Sequence, residues 1–295
     1  MEKNNKKSRV ALLSVSSNTI LVILKIAAGI MSGSISIISE AIHSGMDLIA
    51  ALIAFLAVRA ASKPADREHP YGHGKLENAS GLAEGALIFI AAGMIIFESA
   101  KKLLHPASLE QTGLAVAVML IAGIINFFVS RVLYKTAKEE DSQALEADAL
   151  HLKTDVYTSL AVGAGVLLVK LTGIGILDPL VAMGVALLII KEAWNLLRGA
   201  MNYLTDVKLS DEEERQIVQI IESHQDSYLN YHKLKTRKAG NMRHIDFHIT
   251  EPENMTVGEA HKIIGMMKKD MCEKLQNTRV SIHVDPQESD AEKKE

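Results

Sequence analysis

The sequence predicts an α-helical membrane domain of six transmembrane helices, followed by a small α+β domain of order αββαβ. Three observations carry this expectation. Long apolar runs fill residues 10–204, each close to the roughly 20 residues that a bilayer span needs. Residues 205–295 are polar and charge-dense, so the mean hydropathy of +0.14 averages two unlike halves. After Asp206 the apolar spacing also changes, from continuous runs to one amphipathic helix and then to strict alternation.

The first apolar run, Val10–Met31, follows the basic segment MEKNNKKSRV, with Asn18 and Lys25 as its strongly polar interruptions. It continues without a small-residue cleavage site, so it reads as a retained helix rather than a signal peptide. The second run, Ser34–Ala61, carries His43 and Asp47. The third, about Leu76–Ala100, includes Glu77, Glu84 and Glu98, and Thr112–Tyr134 is the cleanest of the six. The fifth, about Gln143–Leu171, carries His151 and Asp155, and the sixth spans about Leu177–Leu197. Asp178-Pro179 reads as an N-cap followed by proline in the first turn.

Turn-like residues separate these runs at Ser32-Gly33-Ser34, at Lys101–Thr112 with His105-Pro106, and at TGIGI over 172–176. The other connections are basic: Lys63, Arg67 and Lys75 in one, Arg131, Lys135 and Lys138 in the other. By the positive-inside rule, these and the basic N-terminus place both chain termini in the cytoplasm. Lys101 and Lys102 count weakly against that orientation.

Ser210 opens SDEEERQIVQIIESH as an N-cap followed by acidic residues and an amphipathic helix. Residues 231–239 and 242–250 alternate around Gly240-Asn241, a hairpin signal. Thr256–Leu275 reads as a second helix and Arg279–Asp285 as a closing strand, giving helices on one face of a sheet. The expected domains are 1–206 (membrane, with a loop at 63–75), 207–286 (α+β), and a disordered charged tail over 287–295.

Composition excludes several functions. A net charge of −3 speaks against a nucleic-acid partner, and the single Cys272 rules out an intramolecular disulfide framework or a cysteine-rich metal site. Histidine is the informative residue: 11 in all. His43/Asp47 and His151/Asp155 share an i,i+4 spacing, which puts each imidazole and carboxylate on one helical face. Ionisable groups are costly at membrane depth and normally face a bundle interior or a wet path. One reading is buried packing residues; the other is four N/O ligands for a divalent metal, which the repeated spacing favours. Asp66, His69 and His73 follow D-x2-H-x3-H in a loop that Pro64, Pro70, Gly72 and Gly74 make compact. In the α+β domain, His232, His248, His261, His283 and Asp285 could converge at one end of the sheet, while His244 and His224 read as surface residues.

Three segments, SISIISEAIHSGMD, PADREHPYGHGKLE and EADALHLKTDVYTSL, carry a specific resemblance. Over about residues 8–286 the chain resembles a cation diffusion facilitator, the family of dimeric divalent-metal/proton antiporters. The resemblance implies a transport site of His43, Asp47, His151 and Asp155, and a second metal on the loop at Asp66, His69 and His73. It implies a binuclear zinc site among His232, His248, His261, His283 and Asp285 near a homodimer interface, in a metallochaperone-like (ferredoxin-like) domain. It also implies an interdomain salt bridge involving Lys75 and Asp206. An all-His/Asp quartet resembles the zinc-preferring members.

The expected function is therefore Zn²⁺ efflux across the cell membrane by proton antiport, because protons and metal compete for the same imidazole and carboxylate groups. Mn²⁺, Fe²⁺, Cd²⁺, Co²⁺ or Ni²⁺ as main cargo is the alternative within that function. From other classes, an intramembrane metalloenzyme or a non-transporting metal sensor would use the same ligands. No H-E-x-x-H accompanies them, so no enzyme activity is expected.

Overall fold

The computed structural model describes residues 2–32, 35–104 and 113–287, in two compact units that divide after Met201. The expected turns at Gly33-Ser34 and 105–112, and the tail from 288 onward, lie outside the described residues.

The first unit is helical: α1 (Glu2–Ser32), α2 (Ile35–Ala61), α3 (Lys75–Leu104), α4 (Gly113–Glu140), α5 (Gln143–Thr172) and α6 (Leu177–Leu204). Among the described residues, five helices are long and apolar enough to cross a membrane. The sixth of the bundle, α5, carries Glu146, Asp148, Lys153 and Asp155 in its first half. Large apolar side chains stay exposed on the outer faces, Ile23, Met94, Ile124 and Leu188 among them. That is the inverse of a water-soluble surface and fits a lipid environment. α1, α4 and α6 run past the ends of their apolar stretches, since a helix keeps its own backbone hydrogen bonds beyond the hydrocarbon layer. Asp178 is not an N-cap: α6 starts one residue earlier, and the carboxylate accepts from Lys102 Nζ at 3.4 Å.

α1 packs along α2, α4 along α5, and α3 against α5. α6 joins through α3, where Ile88 and Ala92 meet Ile189 and Ala193. Gly85 permits this approach, because a Cβ there would lie 3.1 Å from the side chain of Leu197. Small residues at such contacts let membrane helices come close. The bundle interior is polar along α5, with Asp148 and Thr154 buried and His151 nearly so.

The second unit runs α7 (Asp211–Glu222), a short 3₁₀ turn, β1 (Asn230–Ala239), β2 (Met242–Glu251), α8 (Val257–Lys274) and β3 (Thr278–Pro286). This is the αββαβ order that the sequence predicts. Ser210 and Thr256 each form a full capping box, with Glu213 and Glu259 as third residues. β1 and β2 pair antiparallel across Gly240-Asn241, with Gly240 at φ +59°, and β3 pairs parallel to β2. Ile245, Phe247 and Ile249 of β2 enter a core with Ile217, Ile221, Met267 and Met271 of the two helices. Side chains alternate along a strand, so even-numbered β2 residues occupy the face opposite that core.

Candidate metal centres

In the membrane unit, α2 contributes His43 and Asp47, and α5 contributes His151 and Asp155. Ligand atoms of His43, Asp47 and Asp155 all lie within 4.8 Å of one another. His151 Nε2 is 3.2 Å from Asp47 Oδ1, so the fourth residue joins the same cluster across the two helices. Asp47 is nearly buried, whereas the His43 side chain is 58% exposed. The quartet is therefore open along one edge. α4 adds a residue that the His/Asp pattern did not point to: Asn126 Nδ2 donates to Asp155 Oδ2 at 3.3 Å. An amide holding a carboxylate's second oxygen orients the first, the usual supporting role around a metal ligand.

The loop between α2 and α3 brings Asp66, His69 and His73 together. Asp66 Oδ1 accepts the backbone N–H groups of His69 (2.7 Å) and Glu68 (3.0 Å), which closes a tight turn. Asp66 also lies 3.4 Å from a ring nitrogen of each histidine, and the two rings are 4.3 Å apart. The His69 amide, with help from His73, holds the Asp66 carboxyl below the usual carboxylate range, against the opposing effect of its own desolvation. It is thus ionised whenever the loop could meet a metal.

In the α+β unit, His232, His248 and His283 form a row across all three strands, paired by register. Asp285 binds the row together. Its Oδ2 meets His248 Nδ1 at 2.8 Å and His232 Nε2 at 3.0 Å, and its Oδ1 meets His283 Nε2 at 3.0 Å. The His248 hydrogen bond is the chief reason that the Asp285 carboxyl is depressed below its ordinary value. His232 reaches this face through a β-bulge between His232 and Lys235, with Lys233 at φ +54°. Lys235 and Arg237 sit opposite Asp246 and His244, so uninterrupted alternation would send His232 into the core instead. One extra residue flips it to the histidine face. His261 is exposed on α8 and is not in the group that the sheet assembles.

Two histidines depart from the surface reading. His244 is buried on the His248 face of β2, between Arg237 of β1 and Arg279 of β3 in the register. His224 is largely enclosed and its Nε2 lies 3.0 Å from Asp270 Oδ2 of α8. Of the remaining pair, Lys75 opens α3 in the first unit, while Asp206 belongs to the second, where Arg237 Nη1 donates to it at 3.4 Å.

Two family models divide the chain where its architecture changes. The cation efflux transmembrane domain matches residues 11–205, and the cation efflux protein cytoplasmic domain matches residues 209–287. The chain belongs to the cation diffusion facilitator family. It is 36% identical over 278 residues to an uncharacterized transporter of Synechocystis sp., sll1263, covering 94% of this chain and 90% of the relative. It is 32% identical over 273 residues to the cation-efflux pump FieF of Shewanella oneidensis, covering 92% of each. A solved chain described as a candidate zinc transporter, CzrB, is 27% identical over 27% of this chain and 99% of its own length, with a TM-score of 0.26. Cation diffusion facilitators are integral membrane transporters that export divalent metal ions, not enzymes. The metalloenzyme and sensor readings therefore fall away, and the α+β unit is the family's cytoplasmic dimerisation domain.

Proposed function

We propose that this cation diffusion facilitator exports Zn²⁺ from the cytoplasm in exchange for protons, with His43, Asp47, His151 and Asp155 as the transport site. The observation that carries this is the convergence of two helices' ligand pairs on one cluster, with His151 Nε2 3.2 Å from Asp47 Oδ1. Two imidazoles and two carboxylates offer a neutral-plus-anionic N/O set of the kind zinc takes, without the thiolates that would retain it.

Exchange follows from the ligand chemistry. Each imidazole must be neutral and each carboxylate ionised to coordinate, so binding expels protons and protonation expels metal. An inward proton gradient then drives metal outward. We place the N-terminus and the α+β unit on the cytoplasmic side of the cell membrane, and the protein as a homodimer. The loop triad (Asp66, His69, His73) and the sheet cluster (His232, His248, His283, Asp285, with His261 nearby in sequence on α8) serve as cytoplasmic zinc sites. Their donor sets fit: each centres on a carboxylate held ionised by its neighbours.

The test is flux in proteoliposomes under an imposed pH gradient, with Zn²⁺ compared against Mn²⁺, Fe²⁺, Cd²⁺, Co²⁺ and Ni²⁺ in one preparation. Zn²⁺ uptake coupled to proton release, abolished in Asp47→Ala and Asp155→Ala, is the expected result. Undiminished transport in those variants removes the site assignment; a larger flux of another ion reassigns the cargo.

A further inference from the structure

Glu84 of α3 and Asp148 of α5 are both completely buried, at 0% exposure. Each has one oxygen held by a serine: Ser80 Oγ donates to Glu84 Oε1 at 3.2 Å, and Ser14 Oγ to Asp148 Oδ1 at 3.1 Å. Among the described residues, the other oxygens, Glu84 Oε2 and Asp148 Oδ2, have no hydrogen-bond partner. The two carboxyl groups lie within electrostatic reach of each other and of His151. Among the described residues, no lysine or arginine pairs with either. Two carboxylates enclosed together in a membrane bundle carry a severe desolvation cost unless protons or a cation neutralise them.

Their place in the bundle is defined by three helices that begin at the same end. There Lys7 of α1 bonds Glu77 of α3, and Ser142, just before α5, bonds the other oxygen of Glu77. Ser14, Glu84 and Asp148 follow these residues by seven, seven and six positions, one layer about 10 Å deeper at a rise of about 1.5 Å per residue. His151 follows Asp148 by one further turn. The acid pair therefore sits between the ion-paired end of α1, α3 and α5 and the quartet.

We propose that Glu84 and Asp148 form a second, all-oxygen binding station for a divalent cation, one turn from the quartet. A divalent ion neutralises both carboxylates at once, whereas protons do so only by occupying each carboxyl separately, and the measurements below separate the two. The donors are carboxylate oxygens flanked by hydroxyls, a set that suits Mn²⁺ or Mg²⁺ better than zinc and holds zinc only loosely. A loose oxygen station beside a tighter N/O site lets an ion be handed on rather than trapped. This role rests on the reading of the quartet as the transport site, whereas the station's existence does not.

The probe is Mn²⁺, with the full chain in detergent. Bound Mn²⁺ is counted at saturation in the wild type and in Glu84→Gln, Asp148→Asn and Asp47→Ala. The station predicts that each of the first two variants loses one ion per chain, or binds it at least tenfold more weakly. Asp47→Ala would affect a separate equivalent if the quartet binds metal; an Asp47→Ala effect that is absent overturns the quartet and leaves the station standing. A second measurement needs no variant. A hydrophobic carbodiimide reacts with buried membrane carboxyls, and mass spectrometry reports modification at Glu84 and Asp148. Mn²⁺ should protect both at the concentration that fills the extra equivalent. Unchanged ion counts together with absent protection overturn the proposal, as does protection by protons alone with Mn²⁺ without effect.

Discussion

Lys7 Nζ lies 2.6 Å from Glu77 Oε1, and the two side chains are only 4% and 2% exposed. The ion pair ties the start of α1 to the start of α3, and Ser142 completes Glu77's coordination from the head of α5. Beside it, Asn78 Nδ2 donates to Gln143 Oε1 at 2.7 Å. Together these bonds close one end of the three helices that surround the acid pair.

Breaking one side of a buried pair leaves an uncompensated charge and costs about 3–5 kcal/mol. Lys7→Met should therefore destabilise the bundle by about that amount in a denaturant titration of the purified protein. Lys7→Met combined with Glu77→Leu should recover more than half of the loss, since neither charge remains. A double variant as unstable as the single one would show that the pair contributes nothing beyond packing.

Much of this was legible in the sequence, and the reasons divide cleanly. The six helices follow from run length, and the αββαβ order from capping residues, alternation and the Gly240-Asn241 turn. His43/Asp47 and His151/Asp155 stood out because the same i,i+4 ionisable spacing recurs in two apolar helices. Three features were not legible. Asn126 is a single amide in a clean apolar span, and only the packing of α4 on α5 makes it a partner of Asp155. The bulge at Lys233 reverses the facing of His232, and a local count of alternation does not register one extra residue. His244 looks like a solvated strand residue until the neighbouring strands cover it.

Asn126 offers a graded test of the transport site. It does not belong to the proposed ligand set but fixes Asp155 through a 3.3 Å hydrogen bond. Removing a supporting partner of this kind typically weakens metal affinity by about 10–100-fold. Asn126→Ala should raise the zinc concentration for half-maximal flux by about that factor, while retaining transport at saturation. Asn126→Asp, which adds a carboxylate beside Asp155, should shift the optimum toward higher metal or altered pH instead. Kinetics of Asn126→Ala indistinguishable from wild type would mean that Asp155 is held by other contacts.

Asp285 bridges three histidines from three strands, so its loss should be felt by all of them at once. Asp285→Asn keeps the shape but offers a neutral amide with a single acceptor oxygen. The expected effect is at least a tenfold loss of zinc affinity at the sheet cluster, read by competition with a chromophoric chelator in the full chain. The quartet, on other residues, should keep its own zinc equivalent. Deleting Lys233 should have a comparable effect by a different route, because removing the bulge turns His232 toward the core. Retention of full affinity in both variants would dismantle the assignment of this cluster.

His244 supplies the pH prediction for the α+β unit. Burial pushes its pKa below the ordinary 6.5, and the positive charges of Arg237 and Arg279 push in the same direction. The unfolded chain then binds a proton at higher pH than the folded one. Stability from this residue is complete above pH 6.5 and is lost as the pH falls from there through the lowered folded value. The slope cannot exceed one proton, about 1.4 kcal/mol per pH unit. Urea titrations of the metal-free protein between pH 7 and 5, following the signal of the α+β unit, should show this loss. His244→Gln should flatten the slope by up to one proton, even if it lowers stability overall. The depressed Asp285 carboxyl acts in a separate window, below its ordinary 3.8, and so does not confuse the measurement. An unchanged slope in His244→Gln would assign the acid sensitivity elsewhere and leave His244 a packing residue alone.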